Sequence, residues 1–308
     1  MSKIFEALKR LESEQGAPLP SGLVEAADAP PEQTAAAPDE EAILAAATAG
    51  DPKAAFAYRR AQRDQTETAP ALQPEVVRRG RLQVSQGSPV LPFDDMRWNA
   101  SEQYRMIRTK IIQDPRKPGV IVVSSPGPGD GKSLTSINLA GALSLKSQER
   151  VLLVDGDLRR PTIHKHLGLA DTPGLGDVLE GKCSLEEAII QTEQFPSLYV
   201  LSAGERRANP AELFDSTQWR SVCERLRRSF QYVVIDSSPI AAVADYDLIQ
   251  ANCDGVLVVV RPDHTKRSEC FQALQSIPKE RLIGVVVNCI EDWFLGKKSY
   301  PSYYYQER

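Results

Sequence analysis

The chain has little of what most small-site chemistries need. Its three histidines and five cysteines in 308 residues include no CxxC pair; Cys183, Cys223, Cys253, Cys270 and Cys289 are odd in number and scattered. That pattern excludes a zinc cage or a disulfide framework and describes small apolar residues in a reducing compartment. His164 and His166 lie two apart with no third metal ligand near them in sequence. There is no run of 18 apolar residues and no signal-peptide core at the N-terminus, so the expected location is cytoplasmic, with any membrane link made through a partner. Excess positive charge is also missing. The 37 Lys and Arg against 41 Asp and Glu leave a net charge of −4, which argues against nucleic acid as the main partner.

What is present divides the chain into unequal parts. Residues 1–14 place Ile4, Phe5, Leu8 and Leu11 on one face of a short amphipathic helix suited to docking. Residues 15–93 are rich in Ala, Pro, Glu and Gln, as in "EAADAPPEQTAAAPDEE". Such a stretch cannot bury enough apolar surface to offset chain entropy and is expected to be a mostly disordered linker. Residues 94–292 change character. Continuous Val/Ile/Leu runs at 119–125, 150–157, 197–204, 232–238, 254–261 and 281–288 alternate with helical patterns near 98–114, 133–146, 211–229 and 265–276. Strands apolar on both faces and separated by helices predict an α/β domain with a doubly wound, mostly parallel sheet. Residues 293–308 form a tail holding Tyr300, Tyr303, Tyr304 and Tyr305, four of the nine tyrosines. An even spread would put about a quarter of one tyrosine in the last nine residues.

Between the first apolar run and its helix stands "SSPGPGDGKS". Phosphate binding by a P-loop needs glycines, so that successive backbone N–H groups wrap the phosphate, then a lysine for the terminal oxygens and a hydroxyl for Mg²⁺. Gly129, Gly131, Lys132 and Ser133 fit the pattern GxxxxGK[ST], while Pro126 occupies the first glycine position and Gly127 follows it. The nucleotide-binding set is therefore Gly127, Gly129, Asp130, Gly131, Lys132, Ser133 and Leu134. Two other runs end on acids: "VLLVDGDLRRP" on Asp155 and Asp157, and "YVVIDSSP" on Asp236. In a parallel sheet these ends open on one rim, where doubly wound folds bind ligands. Three carboxylates converging on a triphosphate match ATP with Mg²⁺, a hard oxygen-seeking cation. Ser133, Asp157 and Asp236 are the metal candidates. A surface pairing of Asp157 with Arg159 or Arg160 is the plainer alternative.

The P-loop variant, "DGDLRRP" and "VVIDSSP" together resemble the bacterial tyrosine kinases of capsule and exopolysaccharide systems, relatives of the MinD/ParA deviant P-loop ATPases. The resemblance extends over about residues 94–308. "EQYRMIR" is similar to the family's ExxRxxR helix, which implies that Glu102, Arg105 and Arg108 form the interface of a ring-like homo-oligomer. The tyrosine tail resembles the family's autophosphorylated C-terminus. The opening "MSKIFEALKR" before a long linker looks like the soluble CpsD/CapB-like branch, whose activator is a separate membrane-anchored polysaccharide co-polymerase.

By the same resemblance Asp155 is the base facing the tyrosine hydroxyl, Lys132, Asp157 and Asp236 complete the catalytic group, and Asn288 contacts adenine. Twelve residues from Asn288 to Tyr300 reach roughly 20 Å as random coil and at most about 40 Å, enough for the molecule's own site or a neighbour's. Ser238 and Gly127 depart from family patterns, the former where a proline is frequent and the latter where MinD/ParA proteins carry a lysine. The competing expectations are a MinD/ParA-like ATPase without tyrosine chemistry and a non-catalytic nucleotide-sensing module.

Overall fold

The computed structural model describes residues 72, 77–84, 88, 90, 98–145, 150–241 and 244–289. The expectations for residues 1–14 and 293–308 lie outside them. Eight strands form one sheet in the order β1-β4-β5-β3-β6-β2-β7-β8. They are β1 (Arg78–Gly80), β2 (Val120–Ser124), β3 (Val151–Asp155), β4 (Ile189–Thr192), β5 (Leu198–Leu201), β6 (Tyr232–Asp236), β7 (Gly255–Val260) and β8 (Leu282–Val287). Neighbours are parallel except β4 and β5, which pair antiparallel. The doubly wound, mostly parallel α/β fold is thus the one the apolar runs predict.

Nine helices occur among the described residues: α1 (Trp98–Ile112), α2 (Lys132–Ser144), α3 (Ile163–Leu167), α4 (Leu175–Leu179), α5 (Leu185–Ala188), α6 (Pro210–Phe214), α7 (Thr217–Ser229), α8 (Asp245–Gln250) and α9 (Arg267–Ser276). Every residue of β2, β3, β6 and β7 is buried. Successive side chains serve opposite faces. Val120, Val122, Leu152, Val154, Val233 and Ile235 join one apolar cluster with Trp219 of α7 and Ile249 of α8. Ile121, Val123, Val151, Leu153 and Val234 join the other with Ile137, Leu139 and Leu143 of α2. Two covered faces explain why these strands read as unbroken Val/Ile/Leu rather than as alternation.

Three features differ from the sequence reading. The linker expected to run to residue 93 contains β1, and Leu72, Leu82 and Val90 are buried. Its composition concealed this because β1 is an edge strand held by main-chain hydrogen bonds, which charged side chains do not prevent. The helix expected over 211–229 is two helices. Ser216 caps the second, its Oγ accepting from Trp219 N at 3.1 Å, and so competes with helix continuation. Strand β4, "IIQT", was not anticipated, being four residues long and reversed against β5.

Candidate active site

The P-loop connects the end of the central strand β2 to α2. Gly129 and Gly131 adopt φ of 87° and 93°, the left-handed region that side-chain-bearing residues avoid. At Gly131 space is also lacking, since a Cβ would stand 2.1 Å from Asn288 Nδ2. That amide donates to Asp130 O at 2.9 Å, and Asn288 N donates to Val260 O at 2.8 Å. The end of β8 therefore clasps the loop from outside. The carboxylate of Asp130 is buried and braces the same turn, Oδ1 accepting from Thr265 Oγ1 at 2.7 Å and Oδ2 from Gly127 N at 3.3 Å. His264 Nε2 lies 3.0 Å from Pro128 O, which makes it the protonated ring nitrogen. Leu134 packs its side chain into the apolar cluster behind α2. Only main-chain atoms of Asp130 and Leu134 remain for a phosphate.

The first residue of α2 points across the rim. Lys132 Nζ stands 3.0 Å from Asp157 Oδ2, 3.4 Å from Ser133 Oγ and 3.8 Å from Asp236 Oδ2. Burial works against its charge, but Asp236, Asp157 and Asp155 more than offset that, and its pKa is raised. Asp157 pairs with this lysine, not with the arginines beside it in sequence. Arg159 reaches 86 residues on to buried Asp245, Nε to Oδ2 at 2.6 Å and Nη2 to Oδ1 at 3.1 Å. The backbone N of Arg160 donates to Asp157 Oδ1 at 3.1 Å.

Asp155 and Asp236 are fully buried. Thr162 N and Ile163 N, at the start of α3, donate to Asp155 Oδ2 at 3.0 and 3.1 Å, and Asp157 N donates to Oδ1 at 3.3 Å. Burial first, then repulsion from Asp236, pushes the Asp155 carboxyl up to about 7. Burial likewise raises Asp236, against the pull of Lys132. Ser136 Oγ, one turn into α2, donates to Asp236 Oδ1 at 3.3 Å, while buried Oδ2 accepts no hydrogen bond.

A hydroxyl and carboxylates around one unsatisfied buried oxygen form a hard donor set that suits Mg²⁺. Among the described residues no three acidic, histidine or cysteine side chains make a ready cage for a metal ion.

Lys132, Ser133, Asp155, Asp157 and Asp236 thus share one rim, with Asn288 on its border. Glu102, Arg105 and Arg108 stand apart from it on α1. Glu102 and Arg105 pair at 3.0 Å on the exposed surface. Arg108 turns inward, Nη1 donating to Ala142 O at 3.1 Å. Sequence reasoning passed over Ser136, His264, Thr265 and Asp245. Ser136 alone left a signal there, one helical turn after Ser133. Tyr300, Tyr303, Tyr304 and Tyr305 lie outside the described residues.

Residues 119–279 match the AAA domain family. The chain is 35% identical over 208 residues to the tyrosine-protein kinase YwqD of Bacillus subtilis, covering 66% of this chain and 86% of that one. It is also 35% identical over 214 residues to the tyrosine-protein kinase ptk of Acinetobacter johnsonii, here covering 68% of this chain but 29% of that longer protein. Among solved structures, the chimerical protein CapA2B2 superposes with a TM-score of 0.61 at 30% identity, covering 71% of this chain and 93% of that one. Such a fold implies nucleotide binding at the P-loop. With most of YwqD matched and the P-loop rim assembled as described, the chain belongs to the bacterial tyrosine-protein kinase family.

Proposed function

We propose that this protein transfers the γ-phosphoryl group of ATP to tyrosines of its own C-terminal cluster, Tyr300, Tyr303, Tyr304 and Tyr305, acting between molecules of a homo-oligomer. The observation that carries this reading is the meeting of Lys132, Asp155, Asp157 and Asp236 at the head of the P-loop. Phosphoryl transfer asks mainly for positioning and charge neutralisation, with a group to accept one proton.

Main-chain N–H groups from Gly129 to Ser133 and the Lys132 ammonium hold the β- and γ-phosphates. For this, Lys132 exchanges its contact with Asp157 for phosphate oxygens. Ser133 and Asp236, with Asp157 beside them, hold Mg²⁺, which when bound neutralises phosphate charge. Asp155 receives the phenolic proton as the tyrosine oxygen bonds to phosphorus and the bond to the ADP oxygen breaks. Asn288, already against Gly131, borders the adenine side.

Glu102 and Arg105, exposed on α1, are available to a neighbouring subunit. The activator is a membrane-anchored partner of the capsule or exopolysaccharide machinery, and phosphorylation of the tail regulates that system. Among the described residues no helix is long and apolar enough to cross a membrane, and the same partner recruits the kinase to the inner membrane face.

Intact-mass measurement after incubation with ATP and Mg²⁺ tests this, with the partner's cytoplasmic segment added. The wild type gains one to four phosphates. The variant with all four tail tyrosines changed to Phe and the Lys132→Met variant gain none. Unchanged mass in the wild type, or equal gain in the tyrosine-free variant, refutes it.

A further inference from the structure

The stretch "VRRGRLQV" (residues 77–84) is poor strand material, with three arginines and a glycine in eight residues, yet it is held along the sheet edge. Arg78, Arg79 and Gly80 pair with Ile190, Gln191 and Thr192, and Glu193 N donates to Gly80 O at 3.0 Å. Gln194 then grips Leu82 with both ends of its amide. Oε1 accepts from Leu82 N at 2.9 Å, and Nε2 donates to Leu82 O at 2.9 Å.

One residue further, Gln83 N donates to Leu167 O at 2.8 Å. Gly168 lies so close that a Cβ there would meet Gln83 at 2.6 Å. Leu167 ends α3, and the other end of that helix holds the carboxylate. Thr162 N and Ile163 N are the donors to Asp155 Oδ2. Helix α3 is five residues long, and Ile163 and Leu167 are both buried. A single turn packed at both ends passes displacement at one end to the other.

We propose that residues 77–84 form a removable strap and that Gln194 is its positioning residue: seated, the strap holds α3 where its first amides orient Asp155, and lifted, it slows phosphoryl transfer while leaving nucleotide binding intact. The inference rests on the reading of Asp155 as proton acceptor. The strap is held by a three-residue ladder, a few hydrogen bonds and the burial of Leu82, and an edge segment with so few ties opens locally without unfolding the sheet.

The test uses the full chain with ATP and Mg²⁺ and three variants. Gln194→Ala removes the grip on Leu82. Gln83→Pro deletes the N–H that reaches Leu167, and Gln83→Ala keeps it. Amide hydrogen exchange at Leu82, Thr162 and Ile163 is measured beside kcat and KM for ATP. Gln194→Ala and Gln83→Pro are expected to speed exchange at Thr162 and Ile163 and to lower kcat about tenfold, with KM within about twofold. Gln83→Ala is expected to do neither.

Faster exchange at Leu82 with full protection kept at Thr162 and Ile163 overturns the inference. So does faster exchange across the whole sheet with kcat falling in step, which is plain destabilisation. Asp155→Asn, assayed in parallel, separates the two readings. Should it keep the wild-type kcat, the role of Asp155 as proton acceptor fails, and exchange at Thr162 and Ile163 alone decides whether the strap holds α3.

Discussion

Asp155 and Asp236 face each other as direct partners across the β3–β6 ladder, both fully buried. Two carboxylates at the same level of adjacent parallel strands cannot both ionise cheaply without a cation between them. Lys132 supplies part of that charge in the ligand-free protein.

The pair makes stability depend on pH. Asp155 titrates near 7 when folded, against 3.8 for its ordinary value, so the unfolded chain releases the proton first. Its contribution to stability is complete below about pH 4 and is lost as pH rises through 7. Urea unfolding of ligand-free protein at pH 5, 6, 7 and 8 should show the wild type weakening relative to Asp155→Asn. A constant difference between the two across this range would contradict the assignment.

Lys132→Met removes the cation that reaches Asp157 and Asp236. Phosphoryl transfer should fall at least about 100-fold, the scale expected for losing one preorganised charge contact at the reacting group. Single-turnover kinetics with saturating ATP and Mg²⁺ measure this.

Arg159 and Asp245 are an asymmetric pair, because the acid is buried and the guanidinium is a third exposed. Arg159→Ala strands a buried carboxylate and should cost about 2–4 kcal/mol. The double variant Arg159→Ala with Asp245→Asn should recover part of that loss. Denaturant titration of the single and double variants reads the coupling directly, and purely additive losses would dismiss it.

Gly131→Ala meets two obstacles, a positive φ and the Asn288 amide at 2.1 Å. The φ strain alone should cost about 1–3 kcal/mol, and binding of a fluorescent ATP analogue should be lost. Adding Asn288→Ala clears the clash but not the dihedral, so stability should return only in part.

Five inner strands, β2, β3, β5, β6 and β7, were legible because each is a short apolar run buried on both faces, and β8, at one edge and half-buried, was legible because its run is equally apolar. The P-loop was legible because Gly129, Gly131, Lys132 and Ser133 lie together in sequence and form their site locally. The edge was not. "RRG" and "IIQT" become strands only when β5 offers its hydrogen-bonding side to β4, and β4 in turn to β1. Nor could local spacing reveal that Asp157 would choose Lys132 while Arg159 passed it by for Asp245, since that choice depends on where α8 packs.

Taken alone, then, the amino-acid order determined which segments leave water, where the backbone must turn left-handed, and which strands end in acid. These follow from side-chain polarity and steric limits that act within a few residues. Which acid stands beside which base, and the hold of residues 77–84 on the helix behind Asp155, were decided by the tertiary structure. Such contacts join residues tens of positions apart in sequence, and only the strand order and register bring them together.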